Sequence, residues 1–221
     1  TSLLQLARET GDALGVRNAL TGLGMAALAE ERYEDALPLL EEAFDSVSPL
    51  GNVWQAATSI LNLATAWMLA GDLKRAEALF EEALALYRER GDEVFTARCM
   101  QHLGHVALLA GDYGRARTLF EKSLRAFYST GEKMGIADGL EGVAAVDAAT
   151  GHERRAARIA GSATALRESV GMSPFPFLDK VLRPYLARAR TRLGEEAWDA
   201  AMRDGRALSV EQAMASILAD A

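Results

Sequence analysis

Hydrophobic and polar residues follow one another along this chain with the period of an α-helix, and the same arrangement recurs every forty residues. Each unit contains two amphipathic stretches separated by a turn. The clearest unit runs from residue 51 to residue 91. The unit boundaries are marked by Gly11, Gly51, Gly91, Gly131 and Gly171, and the turns within the units by Gly71, Gly111 and Gly151. Self-similarity at such a period predicts an array of helical hairpins.

Alignment of the four complete units indicates a packing role for each class of position. In the first helix, an apolar residue is followed three positions later by another apolar residue and then by a small one. In the second helix, an alanine is followed four positions later by a larger residue in the first three units. The aligned sets are Leu20, Ile60, Met100 and Leu140; Leu23, Leu63, Leu103 and Val143; Gly24, Ala64, Gly104 and Ala144; Ala36, Ala76, Ala116 and Ala156; and Leu40, Phe80, Phe120 and Ala160. A small residue admits the neighbouring helix and a large one fills the gap beside it.

The repeat register ends after Gly171, where the segment MSPFPF interrupts the helical pattern. Three further helices are expected after it, with Ser209 and Gln212 as a capping box for the last one. Pro184 is expected to kink or shorten the first of the three, whereas Pro38 lies near the start of its helix and is tolerated there. We therefore divide the chain into a repeat array at 1–171 and a C-terminal helical cap at 172–221.

The first residues match the end of a second helix. Six of them, Leu4, Leu6, Arg8, Glu9, Gly11 and Asp12, have identical counterparts eighty positions later. This match predicts that the chain begins inside a repeat and is a fragment of a longer protein. A half-repeat exposed in this way would allow association between repeat ends of two copies.

The residues of the second unit resemble the tetratricopeptide repeat. The resemblance rests on Ile60, Leu63, Ala64, Trp67, Ala76, Phe80 and Ala83. The third unit has Ala107 where an aromatic residue is usual, and the fourth has Asp147 and Ala160. The units are longer than the usual repeat of about 34 residues and lack its closing proline, so glycine in a left-handed conformation is expected to end the second helices at Gly51, Gly91 and Gly131. The resemblance implies an all-α, right-handed α-solenoid of helical hairpins with a 40-residue period.

The same resemblance implies a binding groove, because the first helices of tetratricopeptide arrays line the concave face. The positions carried over to this chain are Asn18, Thr21, Met25, Thr58, Leu61, Thr65, Met68, Arg98, Gln101, His105, Asp138 and Glu141. These side chains would suit a protein segment or peptide with an apolar anchor and mixed charges, or a small effector. The other interpretation is that they are solvated helix faces. Lysine is absent from the set, which disfavours the clamping of a C-terminal carboxylate.

Charge is distributed unevenly along the chain. The net charge is −7 overall, with 13 basic against 22 acidic residues in 1–150 and 11 against 9 in 151–221. An acidic repeat region repels nucleic acid, so we expect no direct nucleic-acid binding. The densest basic patch consists of Arg183, Arg188, Arg190 and Arg192. It has two interpretations: ion pairs with acidic residues such as Glu195 and Glu196, or phosphate contacts that support a neighbouring DNA-binding domain.

The sequence contains few groups that could perform chemistry. Cys99 is the single cysteine, which excludes an internal disulfide and fits a cytoplasmic protein. Cys99, His102 and His105 are spread too widely around a helix to bind one metal ion easily, so no metal site is expected. The acidic pairs Glu41–Glu42 and Glu81–Glu82 recur in register on the outer face of second helices, away from any pocket, and we interpret them as solubilising charges. With no phosphate-binding loop and no apolar run that could span a bilayer, we expect a non-enzymatic protein without a cofactor, away from the membrane.

The last third of the chain has a second resemblance. Residues 154–171, LGEEAW at 193–198 and GRALSVEQAM at 205–214 resemble the end of the repeat region in bacterial LuxR-type and STAND-class ATPase regulators. The resemblance implies a signal-sensing or protein-interaction module in a transcriptional regulator, where an ATPase precedes the repeats and a helix-turn-helix often follows them. The alternative is a stand-alone adaptor or self-associating scaffold without a role in transcription.

Overall fold

A computed structural model of the chain describes residues 2–46, 53–171 and 176–218, and all regular secondary structure in these ranges is α-helical. The predicted all-α fold class is therefore confirmed. The helices are α1 (Ser2–Thr10), α2 (Ala13–Ala29), α3 (Tyr33–Asp45), α4 (Val53–Ala70), α5 (Leu73–Glu89), α6 (Glu93–Leu109), α7 (Tyr113–Thr130), α8 (Lys133–Ala149), α9 (Glu153–Val170), α10 (Pro176–Leu193), α11 (Glu195–Arg206) and α12 (Val210–Leu218). None of these helices is both long enough and apolar enough to cross a membrane.

The chain forms two compact units, Thr1–Asp92 and Glu93–Ala221. The first unit contains α1 to α5, with α2 paired to α3 and α4 paired to α5 as the predicted hairpins. The second contains the hairpins α6–α7 and α8–α9 together with α10, α11 and α12. The C-terminal helices thus belong to the same compact unit as the last two repeats. The boundary at residue 172 between an array and a cap stays a prediction.

Helix caps recur in the repeat register. Asp12, Asp72 and Asp112 accept hydrogen bonds from the backbone N–H three residues later, at the starts of α2, α5 and α7. His152, at the start of α9 and in the register of Asp72 and Asp112, makes no such bond. As predicted, Gly91 (φ 68°) and Gly131 (φ 71°) are left-handed at the ends of second helices. Gly51 lies outside the described residues.

The predicted packing between small and large residues is present inside the hairpins. A Cβ on Gly24 would lie 2.6 Å from Leu40 Cγ, and one on Gly104 would lie 2.8 Å from Phe120 Cε1. Phe120 is fully buried. The glycine therefore lets the second helix approach, and the large side chain opposite fills the space that a methyl group would need.

The C-terminal segment agrees with most of its predictions. Ser209 N–H donates to Gln212 Oε1 (2.9 Å) and Gln212 N–H donates to Ser209 Oγ (3.2 Å), which is the predicted capping box. The helix α10 continues through Pro184 to Leu193, so it is not shortened there. Likewise, α3 continues through Pro38. The break at MSPFPF falls largely on residues 172–175, which lie outside the described ranges.

The helices α9 and α11 cross in direct backbone contact. A Cβ on Gly161 would overlap the carbonyl oxygen of Met202, and one on Gly205 would overlap the carbonyl oxygen of Arg158. Ser162 Oγ donates a hydrogen bond to the carbonyl of Gly205 (2.9 Å) at the same crossing. The approach of the two helices therefore requires glycine at both positions.

Candidate functional site

In the first unit, the predicted groove residues divide between surface and core. On α2, Asn18 is exposed and Thr21 and Met25 are half-buried. On α4, Thr58 is half-buried and its hydroxyl lies 3.1 Å from the hydroxyl of Tyr87. The remaining three residues predicted on α4 are buried in packing: Leu61, Thr65 and Met68.

Two features of this unit suit a peptide. The eighteen residues of α4 include no charged side chain, and the only one in α2 is Arg17, whose Nη1 donates to Gln55 Oε1 of α4 (2.9 Å). A cavity of about 440 Å³ lies beside Asn18, with Leu3 and Leu6 of α1 in its wall. The two helices therefore offer a surface with few charged side chains and, at one edge, a largely apolar recess whose wall also includes Asp12.

In the second unit, several predicted groove residues make internal contacts. Gln101 is buried and its Nε2 donates to the carbonyl of Gly135 on α8 (2.9 Å). His105 is also buried, with its ring centroid 5.1 Å from that of Phe120 on α7. Arg98 is half-buried, and its carbon Cζ lies 5.7 Å from the ring centroid of Phe95. Gln101 and His105 therefore hold α6 against α7 and α8.

Asp138 and Glu141 on α8 face a single arginine from α9. Arg167 Nη2 donates to Asp138 Oδ1 (2.5 Å), and Arg167 Nη1 donates to Glu141 Oε1. The side chains of Arg167 and Asp138 are only 5% and 4% exposed, while that of Glu141 is 17% exposed. Because water hardly reaches the contact, Arg167 supplies most of the compensation for two carboxylates.

Burial decides the protonation equilibria of these carboxylates. Desolvation raises the pKa of Asp138 and of Glu141 above their ordinary values, although the hydrogen bonds and positive charge of Arg167 lower them. Desolvation also acts to lower the pKa of Arg167, but the two carboxylates outweigh it and raise that pKa. Both carboxylates are hydrogen-bonded to Arg167 in the structure, so the cluster is a packing element of the hairpin.

In the repeat register, Arg167 occupies a position that holds a buried aromatic residue in earlier repeats. Forty and eighty residues earlier, the same position holds Phe127 and Tyr87, both buried. The pair Thr58–Tyr87 of the second repeat is thus equivalent to the pair Asp138–Arg167 of the fourth. Arg167 was not among the residues predicted from the sequence. The signal that would have found it is an arginine at an aromatic core position, in register with an acidic residue at a threonine position.

Asp147 is a second buried acid in the fourth repeat. It is fully buried, Arg117 Nη2 of α7 donates to it, and Arg155 Nε of α9 lies 3.4 Å from its other oxygen. The departure from the repeat pattern at Asp147 is therefore compensated by arginines on both neighbouring second helices.

The C-terminal helix α10 packs along α8 and α9. Tyr185 Oη donates to the carbonyl of Leu108 at the end of α6 (3.1 Å). Ala189 and Trp198 share a buried cluster with Ala148 of α8 and with the start of α9. The chain's own C-terminal segment therefore covers part of the first helices of the second unit.

The basic patch at the end of α10 is largely engaged in ion pairs. Arg183 pairs with Asp179, Arg190 with Glu195, and Arg192 with Glu153 (3.3 Å). The contacts agree with the interpretation of this patch as ion-pairing residues rather than as phosphate ligands.

The residues considered for metal binding and those considered for acid–base chemistry lie on different helices. Cys99 is buried, and His102 and His105 contact each other edge to face with centroids 5.9 Å apart. Within the described residues, no three His, Cys, Asp or Glu side chains converge on one point. The acidic residues Glu41, Glu42, Glu81 and Glu82 are exposed on α3 and α5.

The buried histidines predict a loss of stability in mild acid. Burial lowers the pKa of His105 to about 3, whereas an unfolded histidine titrates near 6.5. Protons therefore bind the unfolded chain first, and the stability contributed by neutral His105 is complete above pH ~6.5 and is lost as the pH falls towards 3. We expect a loss of about 1.4 kcal/mol per pH unit from this residue below pH ~6. Urea unfolding between pH 7 and pH 5 measures it.

His105→Met is the matched comparison, since Met25 holds the equivalent position in the first repeat. The raised pKa values of Asp138 and Glu141 act in the opposite direction, because their contribution is lost as the pH rises through the folded values. Both proteins contain these acids, so the difference in slope isolates His105. Parallel pH profiles for the two proteins would contradict the assignment.

Comparison with known proteins agrees with this geometry. Residues 55–129 match the family model described as tetratricopeptide repeat. This stretch of the chain is a tetratricopeptide-repeat region. It comprises the helices from α4 to α7, and so includes the unit whose residues carried the resemblance. No curated protein matches the sequence.

Solved structures are similar in fold to nearly the whole chain. The crystal structure of BtubC (BKLC) from P. vanneervenii has a TM-score of 0.65 at 15% identity, covering 96% of this chain and 88% of that one. A crystal structure of the nearly identical TPR-like repeats of a Podosopora anserina putative kinesin light chain has a TM-score of 0.60 at 18% identity, covering 92% and 96%. At these identities the likeness concerns the fold alone. Together with the matched region, it confirms the tetratricopeptide-type array.

Proposed function

We propose that this chain is a non-enzymatic protein-interaction module and that the surface of α2 and α4 binds an amphipathic peptide or helix of its partner. The observation that carries the proposal is the absence of charge from α4 and its near absence from α2. Tetratricopeptide arrays bind protein segments along their first helices, and an uncharged surface suits the apolar face of a helix. The recess beside Asn18 is large enough for an apolar anchor residue.

The second unit supports this choice by contrast. The side chains of Gln101, His105 and Asp138 are buried in contacts with neighbouring helices. A partner that used them would have to break the pair between Asp138 and Arg167 and leave charges unpaired in the interior. On α2, Asn18, Thr21 and Met25 can be contacted without such a cost.

A peptide-display selection tests the proposed surface. We expect amphipathic peptides that bind the wild-type chain and lose affinity roughly tenfold or more on a Thr21→Arg/Met25→Arg double variant, because two charged side chains would then face an apolar ligand. The matched control is Ala78→Arg/Ala85→Arg, which places the same side chains at exposed positions of α5. Peptides that bind all three proteins equally would contradict the assignment, as would the absence of any selected peptide.

The finer proposal is that the module belongs to a bacterial, cytoplasmic transcriptional regulator of the LuxR or STAND class. It is supported by the resemblance of residues 154–171, 193–198 and 205–214 to the end of the repeat region in those proteins. Binding of a partner to the α2–α4 surface would then change the activity of ATPase and DNA-binding domains elsewhere in the regulator. The gene that encodes the chain tests this. A phosphate-binding loop upstream and a helix-turn-helix downstream are expected, and a gene with neither would contradict it.

A stand-alone, self-associating adaptor is the second candidate. The observation in its favour is the exposed apolar surface of α1 and the start of α2, where Leu3, Leu6 and Leu14 are 76%, 57% and 50% exposed. Sedimentation velocity distinguishes the self-associating adaptor from the regulator module. A dimer that Leu3→Ser/Leu6→Ser converts to a monomer favours the scaffold, whereas a monomeric wild type removes its support.

A further inference from the structure

We propose that the second unit contains a separate site for a small phosphate-bearing molecule, in the cavity between α9, α10, α11 and α12. The cavity has a volume of about 630 Å³, within the range of small-molecule sites. It is independent of the α2–α4 surface, and nothing in the proposed interaction function requires it.

Each of the four helices supplies part of the cavity wall. The start of α9 provides Arg154, Arg155 and Arg158, and Ile159 lies next to them. Apolar surface comes also from Leu193 at the end of α10 and Ala201 of α11. The polar groups opposite are Asp204 of α11 and Ser216 of α12. The cavity thus combines a basic side, an apolar wall and two carboxylates, Glu153 and Asp204, as sites for polar metabolites commonly do.

The ion pairs leave positive charge in this cavity. Arg155 is held in place, because its Nε lies 3.4 Å from Asp147 and its Nη2 donates to the carbonyl of Ser216 (3.4 Å). Glu153 at the rim is paired with Arg192 (3.3 Å). Within the described part of the chain, the guanidinium groups of Arg154 and Arg158 form no ion pair. Two cations therefore remain against the single carboxylate of Asp204.

The excess positive charge of the two arginines favours a ligand that carries phosphate. Arginine donates pairs of N–H groups that match the oxygens of a phosphoryl group. The start of α9 also lines the cavity, and the backbone N–H groups of its first turn are not capped by the side chain of His152. Asp204 is an acceptor for a hydroxyl group on the rest of the ligand. A phosphorylated, hydroxyl-bearing small molecule satisfies these groups together.

The shape of the site favours a small molecule over nucleic acid. The two unpaired arginines lie in a recess whose far walls are α11 and α12, whereas the phosphates of a duplex run along a continuous outer surface. Three arginines on the outer surface of the unit, Arg183, Arg190 and Arg206, are already paired with carboxylates. A small molecule can enter the recess, whereas a duplex would meet the outer surface, where these three arginines are already neutralised.

Isothermal titration calorimetry of the full chain with inorganic pyrophosphate tests the site. We expect saturable binding to one site per chain and a loss of affinity of roughly tenfold or more in Arg154→Gln/Arg158→Gln. The matched control, at the same ionic strength, is Arg188→Gln/Arg203→Gln. It removes the same charge from exposed positions outside the cavity and is expected to bind as the wild type does.

Several outcomes would overturn the proposal. Pyrophosphate that produces no saturable heat with the wild-type chain removes the site. Equal weakening in both double variants means that only net charge attracts the anion. Random duplex DNA that binds the wild type and displaces pyrophosphate means that the arginines form part of a nucleic-acid surface. Thermal unfolding of both variants in the absence of ligand checks that each remains folded.

Discussion

Replacing Arg167 by methionine is expected to lower the free energy of unfolding of the second unit by about 3 kcal/mol or more. The arginine is 4% exposed and is the partner of both Asp138 and Glu141. Without it, the Asp138 carboxylate is left unpaired in the interior, where burial disfavours its charged form and so raises its pKa. Urea unfolding, followed by the fluorescence of Trp198 in a Trp54→Phe/Trp67→Phe background, measures the second unit alone.

The repeat itself supplies a rescue for this variant. Arg167→Tyr is expected to be destabilising by itself, and the addition of Asp138→Thr should restore much of the loss. The double variant copies the pair Thr58–Tyr87 of the second repeat, whose hydroxyls lie 3.1 Å apart. Arg206→Met is the exposed control. The side chains of Arg206 and Glu168 are 41% and 57% exposed, so their ion pair should contribute less than about 1 kcal/mol to stability. Additive losses in the double variant would contradict the register argument.

Gly205→Ala is the second substitution with a large expected effect. Its Cβ would overlap the carbonyl oxygen of Arg158 on α9, so the backbones of α9 and α11 would have to separate. No side-chain rotation relieves such a contact, because the opposing atoms belong to the main chain. We expect a loss of about 3 kcal/mol, at the upper end of the usual cost of overpacking, and Gly161→Ala should behave similarly. The same Trp198 fluorescence measures both, because Trp198 itself lies on α11.

A glycine with free space provides the control for these variants. Gly114 lies in the first turn of α7, where the nearest atom to an added methyl group would be Asp112 Oδ1 at 3.9 Å. Gly114→Ala is therefore expected to leave stability unchanged or to raise it by up to about 1 kcal/mol. A similar loss at Gly114 and Gly205 would mean that the backbone contact between α9 and α11 is not what makes glycine necessary at position 205.

The hairpins were predictable from sequence because their packing is local and repeated. Gly104 and Phe120 belong to one hairpin, and the same relation between a small and a large residue recurs at Gly24 and Leu40. Each repeat of the pattern is an independent indication of the same helix pair. The crossing of α9 and α11 was not predictable in this way. Gly161 faces the backbone of Met202 and Gly205 that of Arg158, and these contacts do not recur among the described hairpins.

The candidate site was predictable only in outline. Positions carried over from the repeat family identify which helix a residue belongs to, but the side chain's direction depends on its neighbours. His105 turns towards Phe120, and Asp138 turns towards an arginine from another helix. Three of the four arginines of the basic patch are paired, whereas Arg154 and Arg158 outside the patch form no ion pair among the described residues. Ion pairing is decided by tertiary distances that a charge count does not contain.

Hydrogen–deuterium exchange of the full chain, with and without a peptide selected against it, tests the central claim most directly. If the module binds its partner through the first unit, the peptide slows exchange in α2 and α4 and leaves α6 and α8 unchanged. Protection confined to α6 and α8 would contradict the account, because it would mean that the partner displaces or bypasses the buried contacts of Gln101, His105 and Asp138.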